Sequence, residues 1–322
     1  MITMTGRHMS ASNMEPNAEA REPAPLPTLS VMIPTRNRPD KVKRAVESIL
    51  ANSFRDFELI VVDQSTDRST ERALTAIDDP RLRYIATDTV GAAVSRNIGI
   101  RASRAETLVF TDDDCVCDHG WLSSILAEYA AEPAALGVYG RVIPYGDPPR
   151  AGMICPCINE STERLVLDSP AIPAQTVGNG NNMSFKREIF RTVGLFMETL
   201  GPGTPIGQGE DTEFAYRVLW SRCKLVYSPK PVVQHDKWLD EAGFAKLMKE
   251  SVRGLAVVFL SYSLRCDRLA FTQLMRTFYY LLRDRLAIGS VRAGLAYFVT
   301  GLVKAPNCRL LRPPRFEPSA VE

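Results

Sequence analysis

Short apolar runs alternate with amphipathic stretches from residue 29 onward. Residues 29–35 (LSVMIPT) are apolar and rich in β-formers, which predicts a buried strand. Behind them, apolar side chains recur at helical spacing from Val42 to Leu50, with Pro39 near the expected helix start. The alternation continues with strands predicted at 57–63, 82–88 and 107–113 and helices at 65–77 and 91–103. This order predicts an α/β domain with a mostly parallel sheet flanked by helices.

The pattern becomes less regular after about residue 136. Residues 136–146 predict a strand, and residues 175–185 (QTVGNGNNMSF) predict another strand that glycines interrupt. A helix is expected at 209–220 (GEDTEFAYRVLW), followed by two short strands at 224–229 and 231–235. From Trp238 to Lys304 the apolar spacing is helical. A helical extension is therefore expected after the α/β part.

The charge balance argues against one class of protein. The chain carries 39 Lys+Arg against 37 Asp+Glu, a formal net charge of +2. A nucleic-acid-binding protein would show a larger and clustered basic excess, so we expect no nucleic-acid partner. The first 27 residues contain four prolines and no hydrophobic periodicity, which predicts a disordered tail over residues 1–27.

The sequence also bears on location. Residues 1–28 lack the apolar segment of a secretory signal, and no run reaches the ~18 apolar residues of a membrane span. Two pairs of the seven cysteines are separated by one residue, a closer spacing than zinc sites usually have. These features favour a reducing compartment, and we expect a cytoplasmic protein, with a place at the inner face of the membrane left open.

Polar residues follow several of the predicted strands. Thr35 and Arg36 close the first, Asp63 the second, and Asp112, Asp113 and Asp114 follow the run LVFT. In parallel sheets, ligands bind beyond the carboxyl ends of the strands. The sequence therefore predicts a ligand site at this edge.

The three adjacent aspartates allow three interpretations. One aspartate could cap the following helix, although capping does not need three. The cluster could bind a divalent cation, and Asp112 and Asp114 would face the same side if the backbone stays extended. A phospho-acceptor aspartate is the third interpretation, but it would require a lysine after a later strand, which we do not find.

Six segments in this order resemble the family 2 glycosyltransferases of the GT-A fold. They are SVMIPTRNRP, ELIVVDQSTD, GAAVSRNIGI, LVFTDDDC, GNGNNMSFKREIFRTVGLF and GEDTEFAYRV. The resemblance covers about residues 29–235. It implies a catalytic domain at 28–236, with a nucleotide-binding half at 28–118 and an acceptor and catalytic half at 119–236. Residues 237–322 would then form a C-terminal helical extension and tail.

The resemblance assigns a role to each matching residue. It implies that the nucleotide sugar contacts Pro34, Thr35, Arg36, Asp63, Arg96, Asn97, Asp112 and Asp113. It implies metal ligands among Asp112, Asp114 and His235, with Mn²⁺ or Mg²⁺ as the cofactor. The family often has a second acidic residue beside the base-reading aspartate, where this chain has Gln64.

The catalytic assignment falls on the segment GEDTEF. Asp211 would be the catalytic base, with Glu210 as its neighbour or alternate, although both carboxylates also suit a helix start. Asn179, Asn181 and Asn182 lie in the glycine-interrupted strand and either contact the acceptor or the sugar, because amides suit sugar hydroxyls, or satisfy the backbone of a turn.

The expected activity is transfer of a sugar from a nucleotide-diphosphate donor, UDP-linked by the family's habit, to a hydroxyl acceptor. The acceptor class stays open among glycans, lipid-linked molecules and small molecules. The resemblance implies inversion at the anomeric carbon. It also implies single addition, because the processive signature QxxRW has only the partial match QLMRT at residues 273–277. A sugar-nucleotidyltransferase and a degenerate, non-catalytic binding module are the alternatives.

The C-terminal helices carry basic residues among apolar ones. Arginines recur from Arg253 to Arg292 beside Phe, Tyr, Leu and Val. This pattern suits peripheral contact with an anionic membrane, and it equally suits an ordinary solvated face opposite a core-facing stripe.

Overall fold

The computed structural model describes residues 25–283 and residue 315. Most of the predicted N-terminal tail and the end of the helical extension, including Lys304, lie outside the described residues. The strands are β1 (Leu29–Thr35), β2 (Phe57–Asp63), β3 (Leu82–Ala86), β4 (Thr107–Thr111), β5 (Cys115–Cys117), β6 (Ala135–Pro144), β7 (Leu165–Leu167), β8 (Asn182–Lys186) and β9 (Lys224–His235). The helices are α1 (Pro39–Leu50), α2 (Ser69–Thr75), α3 (Ala92–Ala102), α4 (Trp121–Ala131), α5 (Glu188–Val193), α6 (Glu210–Trp220), α7 (Glu241–Ser263) and α8 (Arg268–Arg283).

The first half of the sheet is parallel, as predicted. β1 lies between β2 and β4, and β3 lies beyond β2, with every pair parallel. All seven residues of β2 are buried, which explains the apolar run LIVV at residues 59–62. Because these strands run the same way, their carboxyl ends meet at one edge.

The second half is mixed, and here the structure departs from several expectations. The sheet order is β3-β2-β1-β4-β8-β6-β9-β5, with β7 also paired to β9. β8 runs antiparallel to both β4 and β6, so the parallel arrangement of the first four strands is interrupted at β8 and returns where β6 pairs in parallel with β9. The α/β fold class itself is confirmed.

The bounds of several strands and helices differ from the predicted ones near turns and prolines. The two short strands predicted at 224–235 are one strand, β9, because Pro229 and Pro231 fall where its pairing with β6 shifts register. The strand predicted at 175–185 begins only at Asn182, after a short 3₁₀ turn. β4 ends at Thr111, and helix α2 is shorter than expected. β5, β7 and α5 were not predicted.

Two apolar cores cover the two faces of the sheet. One is built from α1, α4 and one face of β1, β2 and β4, with Trp121 fully buried. The other contains a cluster of phenylalanines whose ring centroids lie 4.4–6.3 Å apart: Phe110, Phe185, Phe190, Phe196 and Phe214. This second core continues into α7 and α8 through residues such as Phe259 and Leu274. The C-terminal helices therefore share a core with the sheet, and the domain boundary at 236 stays a prediction.

The helices within residues 25–283 include none with an apolar stretch of the length that a bilayer crossing requires. α8 exposes Phe271 and Met275 on one face.

Asn182 joins three elements at the centre of the sheet. Its Nδ2 donates hydrogen bonds to the carbonyls of Arg141 (2.8 Å) and Pro231 (3.0 Å), at the register shift between β6 and β9. Its Oδ1 accepts a hydrogen bond from Trp121 Nε1 at 2.9 Å. Asn182 is 1% exposed, so this amide is a structural group in a buried position.

Replacing Asn182→Ala should destabilise the fold by about 3 kcal/mol, because it leaves three buried polar groups unpaired. The adjacent Asn181 is also buried, but its amide has no partner among the described residues. Asn181→Ala is therefore the matched control and should change stability by less than about 1 kcal/mol. Urea unfolding of both variants measures the difference. Equal losses would contradict the structural role of Asn182.

Candidate active site

A cavity of about 370 Å³ opens at the carboxyl ends of β1 and β4. Most of the predicted site residues line it: Pro34, Thr35, Arg36, Arg96, Asp112, Asp113, Asp114, Asn179, Asn181, Glu210, Asp211 and His235. They come from strand ends, from α3, from the start of α6 and from the loop before β8. The fold therefore gathers at one place residues that are nearly two hundred positions apart.

The three aspartates do not continue an extended strand. β4 ends at Thr111, and a turn follows in which the Cys115 amide donates to the Asp112 carbonyl at 3.2 Å. The condition for Asp112 and Asp114 to share a face as strand neighbours is therefore not met. Each carboxylate instead has its own partners in the surrounding protein.

Arg38 neutralises two of these carboxylates. Its Nη1 donates to Asp113 Oδ1 at 2.9 Å and to Asp114 Oδ2 at 3.1 Å. Asp113 also accepts a hydrogen bond from the Thr35 hydroxyl at 2.8 Å. Burial nevertheless raises the pKa of Asp113 to about 6, because the favourable charge of Arg38 is opposed by the neighbouring Asp114. Asp113 thus serves mainly to join the end of β1 to this turn.

β5 brings His235 to the aspartates. Its Cys115 pairs with His235 at the end of β9, which places His235 Nε2 at 3.3 Å from Asp114 Oδ1. Burial alone would lower the pKa of His235, but the hydrogen bond and charge of Asp114 raise it to about 10. Burial alone would raise the pKa of Asp114, and the hydrogen bond from His235 instead lowers it to about 2. The two groups therefore form an ion pair.

The environment of His235 fits a divalent cation. The other ring nitrogen, Nδ1, lies 2.8 Å from the Pro156 carbonyl, which can only accept, so Nδ1 carries a proton. Nε2 then faces a carboxylate oxygen and needs either its own proton or a cation between them. A carboxylate with an imidazole suits Mn²⁺ better than Mg²⁺, which prefers oxygen ligands.

The Cys115 thiol lies in the same cluster as Asp114 and His235. Burial and the charges of Asp114 and Asp112 raise the pKa of Cys115 well above its usual range. It is therefore a neutral thiol, which is a poor ligand for a hard cation.

Arg96 holds a second group of carboxylates across the cavity. It is 3% exposed and donates to Glu210 Oε1 at 2.6 Å and to Asp112 Oδ1 at 3.1 Å. Burial alone would lower the pKa of Arg96, but the negative charges of Asp112, Glu210 and Asp211 outweigh burial and raise this pKa above its usual value. Burial and the charge of Asp211 raise the pKa of Glu210, against the opposing charge of Arg96. Glu210 is therefore committed to a buried ion pair.

Asp211 is the carboxylate of this pair that remains accessible. Its Oδ2 accepts from the Gly180 amide at 3.0 Å, and its Oδ1 accepts from the Thr212 amide at 2.7 Å. It is partly exposed and lines the cavity, whereas Glu210 is 4% exposed. Two backbone donors fix its orientation, and within residues 25–283 it forms no ion pair.

Three predicted contacts lie outside the cavity lining. Asp63 accepts hydrogen bonds from Ser65 and from the Tyr84 hydroxyl, Asn97 bonds to the backbone of Phe196, and Asn182 joins the strands described above. Their predicted contacts with substrate are untested, and their polar atoms are already engaged by protein.

The two asparagines that do line the cavity differ. Asn179 donates to the Cys157 carbonyl at 2.8 Å. Asn181 is 3% exposed, and neither polar atom of its side chain has a partner among the described residues. A buried amide without partners is rare, and here it borders a cavity.

Sequence reasoning missed several lining residues. Arg38 follows the assigned Arg36 by two positions and lies within the first motif, whereas Lys237 follows His235 by two and lies just beyond the region of resemblance. Gln208 and Pro202, on the loop before α6, line the cavity together with Leu247 of α7. Arg38 and Lys237 could have been found by asking which cations neutralise the acidic cluster, whereas Leu247 carries no local signal.

Named relatives of this chain are glycosyltransferases. The pre-mycofactocin glycosyltransferase of Mycobacterium tuberculosis is 26% identical over 218 residues, which cover 65% of this chain. A GalNAc(5)-diNAcBac-PP-undecaprenol beta-1,3-glucosyltransferase of Campylobacter jejuni is 31% identical over 105 residues, or 31% of this chain. The matches span 42% and 34% of these relatives' own lengths.

Solved structures share the fold at low identity. The mannosyltransferase PcManGT of Pyrobaculum calidifontis, in complex with GDP-Man and Mn²⁺, matches with a TM-score of 0.58 and 18% identity over 91% of each chain. TarS of S. aureus matches with a TM-score of 0.52 and 14% identity, over 87% of this chain and 55% of its own.

The family model described as glycosyl transferase family 2 matches residues 30–193, about half of the chain. This range runs from β1 through α5 and contains the three aspartates, Arg96 and the asparagines. By this match and the GT-A fold, the chain belongs to glycosyl transferase family 2.

Proposed function

We propose that this protein transfers a sugar from a nucleotide-diphosphate donor to an acceptor hydroxyl, with inversion at the anomeric carbon and one addition per encounter. The observation that carries the proposal is that the two carboxylates at the start of α6 have different environments. Glu210 is buried against Arg96, while Asp211 faces the cavity and is oriented by two backbone amides. This arrangement suits a positioned proton acceptor opposite a cluster that binds the donor.

The donor belongs at the edge formed by β1 and β4. Pro34, Thr35 and Arg36 line this side, and the aspartate turn lies beside them. The fold relative from Pyrobaculum calidifontis was solved with GDP-Man, and the sequence resemblance favours a UDP-linked donor for this chain. We keep UDP in the proposal, with GDP as the alternative to test first.

A divalent cation would be held by Asp114 and His235, with Asp112 as the further candidate ligand. Because these ligands combine carboxylates with an imidazole, they favour Mn²⁺. When bound, it supplies Lewis-acid neutralisation of the donor diphosphate. Asp113 is left out because both of its oxygens accept hydrogen bonds from Thr35 and Arg38, whereas Asp114 Oδ1 faces His235 Nε2.

The chain's own residues account for the rest of the reaction. Asp211 accepts the proton of the acceptor hydroxyl as the hydroxyl oxygen attacks the anomeric carbon from the face opposite the leaving group. Arg96 holds Asp112 and Glu210, which keeps the negative charge of the site balanced before the donor enters. Asn181 offers an unpaired donor and acceptor to a sugar hydroxyl.

The acceptor and the location are proposed from the sequence. We infer a hydroxyl acceptor and a cytoplasmic site, and contact with a membrane would involve the exposed Phe271 and Met275 beside Arg268 on α8.

Replacing Asp211→Asn should lower kcat by about 10³-fold, because the amide cannot accept the hydroxyl proton. Donor affinity should stay within about threefold, since the donor side of the cavity is untouched. Transfer kinetics and calorimetric donor titration measure the two effects. Glu210→Gln is the contrasting variant and should lower stability as well as activity, because it disturbs the buried pair with Arg96. Loss of donor binding in Asp211→Asn would instead assign Asp211 to the donor site.

EDTA should remove activity, and Mn²⁺ should restore it. Asp114→Asn should weaken Mn²⁺ binding in the presence of nucleoside diphosphate by more than about tenfold, measured by electron paramagnetic resonance of the free ion. Asp113→Asn is the matched control and should retain Mn²⁺ binding. Full activity in chelator, or equal loss of binding in both variants, would contradict the metal assignment.

A further inference from the structure

The loop that precedes α6 lies between the start of α3 and helix α7. We call residues 201–209 (GPGTPIGQG) the glycine loop. It closes on itself through a hydrogen bond from the Gly201 amide to the Gly207 carbonyl at 2.8 Å. Its Pro202 carbonyl accepts from the Ala92 amide at 3.2 Å, at the start of α3. One side of the loop therefore rests on the nucleotide-binding half.

The other side of the glycine loop rests on α7. Arg253 Nε donates to the Ile206 carbonyl at 2.7 Å. Gly254, one residue later on α7, packs so closely against the loop that a Cβ at this position would overlap the Gln208 carbonyl oxygen. This contact is between two backbones, so no side-chain movement could relieve such an overlap.

The contact on α7 lies directly before the proposed base. Gln208 is followed by Gly209, whose φ of +123° suits only glycine, and then by Glu210 and Asp211 at the start of α6. A shift of the Gln208 carbonyl therefore passes along two residues to the proposed base, with no flexible segment between them. Gln208 itself lines the cavity, as does Leu247 of α7.

A second anchor fixes α7 to the same helix. The Tyr262 hydroxyl near the end of α7 donates to Glu213 Oε1 at 2.6 Å, and Glu213 lies two residues after Asp211 on α6. The Tyr216 hydroxyl of α6 donates to Asp267, just before α8, also at 2.6 Å. The middle of α7 thus contacts the glycine loop, and its end contacts α6. Both segments that flank the proposed base are therefore held in place by the same helix.

From these contacts we propose that α7 is part of the transfer machinery, with Gly254 and Arg253 as positioning residues that set the glycine loop and, through it, Asp211. This inference rests on the proposed function for the role of Asp211, but not for the contact itself. It assigns a task to a helix that lies beyond residues 30–193, the part matched by the family model. A displacement of a reacting group by about 1 Å can cost roughly 100-fold in rate, so a small shift at Gln208 is enough.

The test uses the full chain and four variants. Gly254→Ala introduces the overlap with the Gln208 carbonyl. Arg253→Met removes the hydrogen bond to Ile206, and Arg253→Lys restores a donor there. Gly243→Ala is the matched control, because it adds the same methyl group to the same helix, next to Asp240 and away from the glycine loop.

Two readouts are measured beside the thermal unfolding midpoint. Hydrogen exchange of residues 201–211 reports whether the contact is intact. The second readout is the release of nucleoside diphosphate from UDP-linked and GDP-linked sugars in the presence of Mn²⁺, which gives kcat and the KM for the donor. We expect Gly254→Ala to speed exchange in the loop and to lower kcat about 100-fold, with a smaller change in KM. Arg253→Lys should recover most of the kcat lost in Arg253→Met, and Gly243→Ala should stay within about twofold of the parent protein.

The outcomes separate this inference from the proposed function. Unchanged loop exchange in Gly254→Ala overturns the inference, whether or not the protein is active. A kcat that falls only in proportion to the unfolded fraction, or as much in Gly243→Ala, also overturns it. If the parent protein releases no nucleoside diphosphate from any donor while Gly254→Ala still loosens the loop, the positioning contact stands and the proposed activity fails.

Discussion

Five carboxylates converge on one cavity, and the rest of the site depends on how their repulsion is offset. Arg38 pairs with Asp113 and Asp114, His235 pairs with Asp114, and Arg96 pairs with Asp112 and Glu210. Only Asp211 lacks an ion pair within the described residues, and two backbone amides hold it instead. Because each buried charge has a partner of opposite sign, the pairing offsets the free-energy cost of burying the cluster at the edge of the sheet.

The mixed sheet is what brings these partners together. The parallel half delivers Thr35 and the aspartate turn to one edge, and the antiparallel pairing of β5 with β9 returns the chain so that His235 faces Asp114. α3 then supplies Arg96 from beneath, and α6 presents Glu210 and Asp211 from the far side. Asn182 of β8 and Trp121 of α4 hold β6 and β9 together, so the position of β9, which carries His235, is tied to the central packing of the fold.

The sequence predicted the elements with strong periodicity and half of the residues that line the cavity. β1, α1 and β2 have the bounds that their apolar spacing indicates, and the motifs placed Asp112, Asp211 and His235 at one cavity. It could not predict β5, because three residues carry no periodicity, nor which carboxylate pairs with which cation, because those pairs join distant segments. For the same reason Arg38 was overlooked, and the hydrogen bonds that Asn182 makes with β6, β9 and Trp121 had no local signal, while its predicted sugar contact stays a prediction. The role of α7 depends on one close backbone contact at Gly254, which no local pattern signals.

The central claim is a single displacement in which Asp211 accepts the acceptor proton. The most direct measurement is the anomeric configuration of the sugar at the moment of transfer, followed by proton NMR with an α-linked nucleotide sugar and Mn²⁺. One displacement predicts that the first product formed is the β-anomer, seen from its larger H1–H2 coupling in a gluco-configured sugar. An α-anomer as the first product would require two displacements or a different mechanism, and would contradict the role assigned to Asp211.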